Sequence, residues 1–315
     1  YFEADRLMSR ASRLAAYQAE AGEHDPLNML RRLELPLAGM SRVVERAHAI
    51  GLHAIVTVFS VELVAPAAEL GWDAFKSASP DLVHRPLLDA MAHAPGGRPL
   101  IVSTGAATRS EVARTVDWLR PCADRLALLQ CVSCYPTSSD HAEIDAMRDL
   151  QRLFSGPVGY SDHTAGTRTG AIARARGATI LEKHLTWNRR AKGPDHAASL
   201  DEDMFSTYVS AARARDIGSP IIEDDLALLG DGAKRVLACE RDVREVSRQS
   251  IRAARDLRAG DRIEPRDVTF ARPGDGLEPW HVGDIVGQTL ARNLVADTAI
   301  RLEDLASDGR GERAA

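Results

Sequence analysis

The sequence predicts an α/β fold: a (β/α)8 or TIM barrel followed by a small β-rich domain. Six apolar, strand-like runs alternate with amphipathic helical segments in an unbroken row. These runs recur roughly every 25 residues, which is the spacing expected of a (β/α)8 barrel. After Arg215 the pattern changes to charged, aperiodic sequence and then to short β-like pieces separated by turns, which indicates a second domain.

The predicted strands are short runs of β-branched and other apolar residues flanked by turn signals. They cover residues 53–59, 74–79, 99–104, 126–133, 157–163 and 179–185.

Capping residues and glycines mark the predicted helices between these strands. A helix over 37–50 ends at Gly51, and one over 168–176 ends at Gly177. Thr108 and Glu111 form a capping-box pattern, and the same spacing at Ser199 predicts the start of a helix that runs to about residue 215. Further helices are predicted over 60–70, from about residue 86, and over 141–154.

The barrel is expected to be incomplete in this chain. Because the helix over 37–50 precedes the first visible strand, it should follow a strand of its own. We therefore expect about two further strand-plus-helix units, roughly 50–60 residues, before Tyr1. An incomplete barrel exposes two sheet edges, so we expect these residues alone to be unstable and inactive. A six-stranded doubly wound sheet is the alternative, although it usually carries a G-x-G-x-x-G turn that this sequence lacks.

The domain boundaries follow the changes in pattern. Residues 1–216 form the predicted barrel domain, 217–246 a linker, and 247–306 the small β-rich domain. The tail over 307–315 lacks large apolar side chains and is predicted to be disordered.

Composition excludes several classes of protein. Of the 315 residues, 44% are apolar and 27% charged, which is enough for a full core. A net charge of −5 with dispersed arginines argues against a nucleic-acid surface. No run reaches the ~18 apolar residues of a membrane-spanning helix. Four cysteines are too few for a disulfide scaffold and fit a reducing compartment, so a cytoplasmic location is expected. Cys131 and Cys134 face opposite ways on a predicted strand and are interpreted as structural thiols.

Residues 159–200 contain the most informative pattern. Two strand-like runs end in polar clusters, the first at His163 and the second at His184, with a short helix between them. This β-α-β unit predicts parallel strands with both histidines at the same carboxyl edge. A single histidine there is usually structural, but two of them near a carboxylate suit a divalent metal with open positions, or one substrate.

The other predicted strands also end in polar side chains, and barrel enzymes place their reactive groups at these ends. Hydroxyls and a lysine that converge would suit a phosphate or a carboxylate, although serine and threonine also occur there simply because strands end in loops. Asp195 follows the last strand and could bind substrate hydroxyls or serve only as a turn residue. The strand-end candidates are Thr57, Phe59, Lys76, Ser79, Ser103, Ser133, Tyr135, Ser161 and Glu182.

Several ordered motifs carry a family resemblance. They are Lys76-Ser-Ala-Ser79, 100–105 (LIVSTG), 131–137 with its Tyr-Pro-Thr, 159–164 (GYSDHT), Glu182-Lys-His184, 193–199 (GPDHAAS) and 270–276 (FARPGDG). Over nearly its whole length the sequence resembles the sialic acid (N-acetylneuraminate) synthases and their legionaminate and pseudaminate relatives. Its last part resembles their small antifreeze-like (SAF) domain.

The resemblance implies a fold and a reaction. The fold would be a (β/α)8 barrel with a SAF domain, in a homodimer whose SAF domains each cap the partner's barrel. The reaction would join phosphoenolpyruvate to an N-acetylated amino sugar, giving a nonulosonic (sialic-type) acid and phosphate. His163 and His184 match the family's ligands for manganese or magnesium, which would polarise the sugar's aldehyde oxygen.

The resemblance also implies roles for single residues. Phosphoenolpyruvate would be held by Thr57, Lys76, Ser79, Ser103, Ser133 and Ser161. Tyr135 and Glu182 match catalytic positions near the metal and the sugar, Phe59 and Asp195 line the sugar site, and Arg272 contacts the sugar's N-acyl group.

Departures from the family leave alternatives open. The family's strand glutamate and its Lys-Phe-Gln run have no counterpart here, Gln130 stands where histidine is common, and Val58 where proline is common. A non-catalytic relative that serves binding or assembly is therefore a second hypothesis, and a metal-dependent carbon–carbon lyase a third. The acceptor sugar stays open, although Tyr17-Gln18 and residues 27–35 favour the neuraminate and legionaminate branches.

Overall fold

The computed structural model describes residues 1–214 and 223–306. Six strands form one curled parallel sheet in sequence order, and two further strands form a small antiparallel sheet. The parallel strands are β1 (Ile55–Thr57), β2 (Ala74–Ser77), β3 (Leu100–Ser103), β4 (Leu126–Cys131), β5 (Val158–Asp162) and β6 (Leu181–Lys183), and the antiparallel pair is β7 (Ser250–Ala253) and β8 (Val268–Ala271).

The six predicted strands are confirmed with shorter bounds. Within the described residues β1 and β6 lie at the edges of the sheet, so a closed eight-stranded barrel stays a prediction.

Thirteen helices accompany the strands in the described residues. They are α1 (Ala4–Leu7), α2 (Ala16–Glu20), α3 (Pro26–Leu33), α4 (Leu37–Ala49), α5 (Val64–Ala68), α6 (Arg85–Ala92), α7 (Arg109–Trp118), α8 (Met147–Leu153), α9 (Thr169–Ala175), α10 (Glu202–Arg213), α11 (Glu223–Leu229), α12 (Arg241–Ser247) and α13 (Val282–Ile285).

The helix boundaries test the capping predictions. The Thr108–Glu111 capping box opens α7 as predicted. The prediction for α10 was wrong by two residues, because Asp201 rather than Ser199 accepts the amide of Met204. The linker contains α11 and α12, which its aperiodic sequence did not predict. Residues 217–222 of the predicted linker and the predicted disordered tail over 307–315 lie outside the described residues.

The register of the parallel sheet aligns the ends of its strands. Thr57 pairs with Lys76, Cys131 with Ser161, and Asp162 with Lys183. Since all six strands run in one direction, the polar residues that follow them meet at the carboxyl edge. This register is what assembles the site.

The main core lies between the sheet and the helices that cover it. Fully buried side chains such as Phe75, Leu100 and Leu128 point towards these helices. Ile101, Ala127 and Leu129 form a smaller cluster on the opposite face with Ile180. Alternate residues of β3 and β4 thus face two apolar layers. This explains why the sequences of these strands are continuously apolar.

The N-terminal segment connects the sheet to the second domain. Ala4, Leu7 and Met29 form a small cluster against Phe59, and Met8 forms an isolated bridge with Arg272. The small domain has its own core around Ile251, with β7 and β8 at its centre. None of the described helices combines the length and apolar character that a bilayer span requires.

Candidate active site

The two predicted histidines lie side by side at the carboxyl edge of the sheet. The ring centroids of His163, after β5, and His184, after β6, are 5.2 Å apart, and the rings are nearly perpendicular at 89°. The ring of Tyr135 lies 4.3 Å from that of His163 and 5.8 Å from that of His184. Tyr135 therefore adjoins both imidazoles.

Neighbouring groups orient each imidazole. Nδ1 of His163 lies 2.7 Å from the Val132 carbonyl oxygen, which leaves Nε2 as the ring nitrogen for another ligand. Burial acts to lower the pKa of His163, but the neighbouring Cys131 sulfur and the Val132 carbonyl raise it to about 9. Burial and the charge of His163 lower the pKa of His184, whose Nδ1 lies 4.0 Å from Oδ2 of Asp195.

The histidines fit a metal ion that keeps open positions. A second partner on Nδ1, as His163 has, is typical of histidines that bind metals through Nε2. Among residues 1–214 and 223–306, no group of three or more His, Cys, Asp or Glu side chains is arranged to hold a metal. Two imidazoles would therefore need water or substrate oxygens to complete the coordination of manganese or magnesium, as in a catalytic rather than a structural site.

A cluster of hydroxyls lies beside the histidines, around the loop that follows β3. A Cβ atom added to Gly105 would lie 2.3 Å from Oγ of Ser133 and 2.8 Å from Oγ of Ser79, so both hydroxyls converge on this glycine. Oγ of Ser103 and Oγ of Ser133 are buried without a hydrogen-bond partner among the described residues. Buried hydroxyls without partners indicate a place for a polar ligand.

The predicted lysine and glutamate form an ion pair across the sheet. Nζ of Lys76 is 3.3 Å from Oε2 of Glu182, and the Lys76 side chain is only 13% exposed. Thr57 is the register partner of Lys76, and Ser161 is that of Glu182. The structure thus brings the predicted strand-end residues to one edge of the sheet.

The small domain contributes Arg272 to the same region. The guanidinium of Arg272 lies 5.7 Å from the centre of the Phe59 ring. Burial lowers its pKa, whereas the nearby acidic groups of Asp81, Tyr17 and Tyr135 raise it. Arg272 therefore lies at the sheet among mostly aromatic side chains and is shielded from water.

In this single chain Arg272 lies against the barrel domain of its own chain. The linker follows the same domain until just before β7, since Arg235 pairs with Glu143 and Arg248 pairs with Glu111 of α7. A homodimer in which each SAF domain caps the partner's barrel stays a prediction.

Three residues of the site were missed by the sequence analysis. Asp81 is fully buried beside Arg272, accepts from Nε2 of Gln249 at 3.0 Å, and has its pKa raised by burial to about 6. The Tyr17 ring lies 5.0 Å from that of Tyr135. Glu240 of the linker bonds to strand-end amides. Asp81 follows the strand-end residue Ser79 by two positions, and Tyr17 belongs to the Tyr17-Gln18 segment of the family resemblance, whereas Glu240 had no usable signal.

The cysteines partly fit their structural interpretation. Cys131 ends β4, is buried, and its Sγ lies 3.7 Å from Nδ1 of His163. Cys134 lies beyond the strand and adjoins Cys239 rather than Cys131. The C-x-x-C spacing therefore does not bring its two thiols together.

Comparisons with known proteins agree with this geometry. The NeuB family model matches residues 1–217, and the SAF domain model matches residues 248–306. The N,N'-diacetyllegionaminic acid synthase of Legionella pneumophila is 33% identical over 96% of this chain and 84% of its own length.

One solved structure supports the same assignment, and a second supports the fold. The N-acetylneuraminic acid (sialic acid) synthetase of Leptospira borgpetersenii has a TM-score of 0.57 and 28% identity, covering 72% of this chain and 76% of its own. The spore coat polysaccharide biosynthesis protein SpsE of Bacillus subtilis has a TM-score of 0.79 at 24% identity, covering 97% and 85%, which supports the fold alone. The chain described here belongs to the NeuB family of synthases and carries a SAF domain at residues 248–306.

Proposed function

We propose that these residues belong to the catalytic chain of a nonulosonic acid synthase. It condenses phosphoenolpyruvate with an N-acetylated amino sugar, either N-acetylmannosamine or a 2,4-diacetamido-trideoxy hexose, and releases phosphate with cleavage of the C–O bond. The observation that carries the proposal is the paired histidines beside a half-buried lysine and a buried hydroxyl cluster. Relatives named as legionaminic and sialic acid synthases support the same reaction.

The hydroxyl cluster and Lys76 bind phosphoenolpyruvate in this proposal. The ammonium of Lys76 offsets the charge of the phosphate and carboxylate, and the hydroxyls of Ser79, Ser103 and Ser133 donate hydrogen bonds to their oxygens. Because Ser103 and Ser133 have no other partner in the described chain, binding costs them no existing hydrogen bond. Thr57 and Ser161 lie next to Lys76 and Glu182 in the register and line the same site.

His163 and His184 would hold manganese or magnesium on the sugar side. When bound, the ion supplies Lewis acidity to the open-chain aldehyde oxygen of the sugar. Tyr135 packs against both imidazoles and limits the access of water to them. Asp195 lies beyond His184 and orients the sugar's hydroxyls, while Arg272, above Phe59, binds the N-acyl oxygen.

The bond changes follow from this arrangement. The methylene carbon of phosphoenolpyruvate attacks the aldehyde carbon, and water adds to the resulting cationic carbon C2. Collapse of that tetrahedral carbon breaks the C–O bond and releases phosphate, leaving the 2-keto acid. Glu182 lies within an ion-pair distance of Lys76 and is the carboxylate that can take the proton from the water.

The proposal also includes a complete barrel and the assembly of two chains. The curled parallel sheet and the family support an eight-stranded (β/α)8 barrel in the active enzyme. A homodimer is also proposed.

The test measures phosphate release from phosphoenolpyruvate with each candidate sugar. Phosphate release should require both substrates. The variants Ser103→Ala and Ser133→Ala should each raise the KM for phosphoenolpyruvate by about tenfold, because each loses a hydrogen bond to a charged group. Ser110→Ala, on the exposed face of α7, is the matched control. Cleavage of a keto acid without phosphoenolpyruvate would instead favour the carbon–carbon lyase hypothesis.

Metal removal tests the role of the histidine pair. Dialysis against EDTA should abolish phosphate release, and manganese or magnesium should restore it, because two imidazoles with open positions release a divalent ion readily. Binding of manganese to the metal-free protein, followed by electron paramagnetic resonance, should be lost in His163→Ala and His184→Ala. Full activity in EDTA, or unchanged manganese binding in both variants, would contradict the metal assignment.

A further inference from the structure

The linker places a buried carboxylate across the ends of two neighbouring strands. Glu240 is completely inaccessible to solvent. Its Oε1 accepts the backbone amide of Ala106 at 2.6 Å and that of Ser133 at 2.8 Å. Its Oε2 accepts the amide of Leu237 at 2.9 Å, at the start of its own turn. One side chain of the linker therefore joins the loop after β3 to the loop after β4.

The amide and the carbonyl of Ala106 both form hydrogen bonds with linker residues. Its φ of +50° lies in the left-handed region, which an alanine rarely adopts unless its surroundings hold it there. Its amide donates to Glu240, and its carbonyl accepts from Nη1 of Arg244 at 2.6 Å and from Nη2 of Arg248 at 3.3 Å. Three linker residues thus fix the conformation of this loop.

Glu111 of α7 balances the positive charges of Arg244 and Arg248. Glu111 accepts from Arg244 at 2.7 Å and from Arg248 at 2.7 Å. These two arginines act against burial to hold the pKa of Glu111 below its usual range. Both arginines are therefore fixed in direction while their guanidinium groups bind Ala106.

The loop that is held in this way separates two hydroxyls of the proposed phosphoenolpyruvate site. The amide of Gly105 donates to Oγ of Ser79 at 3.0 Å. The Cα of Gly105 also faces Oγ of Ser133, since an added Cβ would overlap with that atom. A movement of residues 105–106 would therefore change the position of Ser79 and the space beside Ser133 together.

The spacing of the linker residues explains how they act together. Glu240, Arg244 and Arg248 are four residues apart and line one face of α12 and its flanks. The opposite face carries Val243 and Val246, which pack against Ala15 of the N-terminal segment. β7 begins at Ser250, two residues after Arg248, so this helix joins the SAF domain to the hydroxyl cluster.

We propose that Glu240, Arg244 and Arg248 are positioning residues for phosphoenolpyruvate. By fixing the backbone at Ala106 and Ser133, they set the separation of the Ser79 and Ser133 hydroxyls, so docking of the linker prepares the phosphoenolpyruvate site. None of the three needs to touch the substrate. The inference rests on the proposed function, because it assigns phosphoenolpyruvate to this hydroxyl cluster.

Kinetics of the full-length enzyme with three variants test the inference. Glu240→Gln replaces one oxygen by an NH2 group that repels one of the three amides, and Glu240→Ala removes all three hydrogen bonds. Arg244→Lys keeps the charge but cannot bind Ala106 and Glu111 together. Each should raise the KM for phosphoenolpyruvate by about tenfold or more, since small displacements of binding groups have such effects. The KM for the sugar should not change.

The matched control is Glu245→Gln on the same helix. Its carboxylate is 66% exposed and pairs only with Arg13 among the described side chains. This variant should behave as the wild type. Equal increases in both KM values in the Glu240 and Arg244 variants would indicate general loosening of the fold and would overturn the inference.

Hydrogen–deuterium exchange gives a second readout that needs no turnover. Peptides that contain Ala106 and Ser133 should exchange faster in Glu240→Ala than in the wild type, and those of β7 should not. If Glu240→Ala does not fold, Arg244→Lys should show the same faster exchange at residue 106. Unchanged exchange at both amides would overturn the inference. A wild type that binds no phosphoenolpyruvate would instead refute the proposed function, whatever the exchange at these amides.

Discussion

Gly105 shows how a single missing side chain defines the proposed binding site. The hydroxyls of Ser79 and Ser133 both approach its Cα, and the sulfur of Cys131 would lie 3.0 Å from an added Cβ. The φ of Gly105 lies outside the left-handed region, so its role is space rather than backbone freedom. Glycine is needed here because two substrate-binding hydroxyls occupy the volume of a side chain.

Gly105→Ala should therefore impair phosphoenolpyruvate binding. The added methyl group must displace Oγ of Ser133, and we expect kcat/KM for phosphoenolpyruvate to fall by about 10²-fold, the effect of a displacement of about 1 Å. Gly283→Ala is the matched control, since no atom lies within 4 Å of its added Cβ. Steady-state phosphate release measures both. Equal kcat/KM values for the two variants would show that this space is not used by substrate.

The residues of the site differ in how far the sequence predicts them. Lys76, Ser103, His163 and His184 follow apolar runs directly, so a strand pattern together with parallel pairing is enough to bring them to one edge. Glu240 follows no strand and belongs to an aperiodic linker. Its contacts with Ala106 and Ser133 depend on the path of the chain across the sheet, and local sequence carries no signal for that path.

At the level of elements, β5 and β6 are joined by a buried ion pair beneath the histidines. Nζ of Lys183 lies 3.0 Å from Oδ2 of Asp162, and both side chains are almost inaccessible. The two residues are register partners, and each directly precedes one of the histidines. The pair therefore fixes the register that sets the distance between His163 and His184.

Breaking this pair on one side should cost more than removing both charges. Lys183→Met leaves the Asp162 carboxylate buried without its counterion, and we expect a loss of roughly 3 kcal/mol in the free energy of unfolding. Addition of Asp162→Asn should recover at least about 1 kcal/mol of that loss, as a coupled pair requires. Urea unfolding of the single and double variants measures the coupling. Additive losses would contradict the proposed coupling between the strands.

His84 connects the start of α6 with the SAF domain. Its Nδ1 accepts the amide of Leu87 at 3.3 Å, and its ring lies 4.6 Å from that of Phe270. Nε2 is buried without a partner among the described residues. Burial lowers the pKa of His84 to about 3, so the folded protein holds this imidazole in its neutral form.

This histidine should make stability depend on pH. Because its pKa in the folded state is below the value of 6.5 in the unfolded state, its contribution is fully present above pH 6.5 and is lost as the pH falls towards 3. Between pH 6.5 and about pH 5 the expected loss is about 2 kcal/mol. His84→Asn keeps an acceptor for the helix start but does not titrate, so its unfolding free energy should fall less.

Urea unfolding over this pH range tests the prediction, with His141→Asn as the control for an exposed histidine. The control should keep the full pH dependence of the wild type. If His84→Asn lost stability as steeply as the wild type, the acid sensitivity would come from other groups.

At the scale of the whole molecule, the sheet was predictable and the arrangement of the two domains was not. Strands and their direction follow from apolar runs such as 126–131 and from alternation with helices. The position of the SAF domain depends instead on contacts between distant residues: Arg114 lies over the ring of Trp280, and Gln249 donates to Asp81. Such contacts leave no periodic pattern, which is why the linker helices were missed.

Because Arg272 lies at the sheet of its own chain, each active site should be complete within one chain. A chain with Lys76→Ala lacks the phosphoenolpyruvate lysine, and a chain with Arg272→Ala lacks the N-acyl contact, so each should be nearly inactive alone. Co-expression of the two with different tags, followed by tandem purification of mixed dimers, should not restore phosphate release. Recovered activity in the mixed dimers would show that Arg272 acts on the partner's barrel, and that the linker leaves its own sheet when two chains assemble. The wild-type mixture with the same two tags is the control, because it reports whether mixed dimers form and remain active through purification.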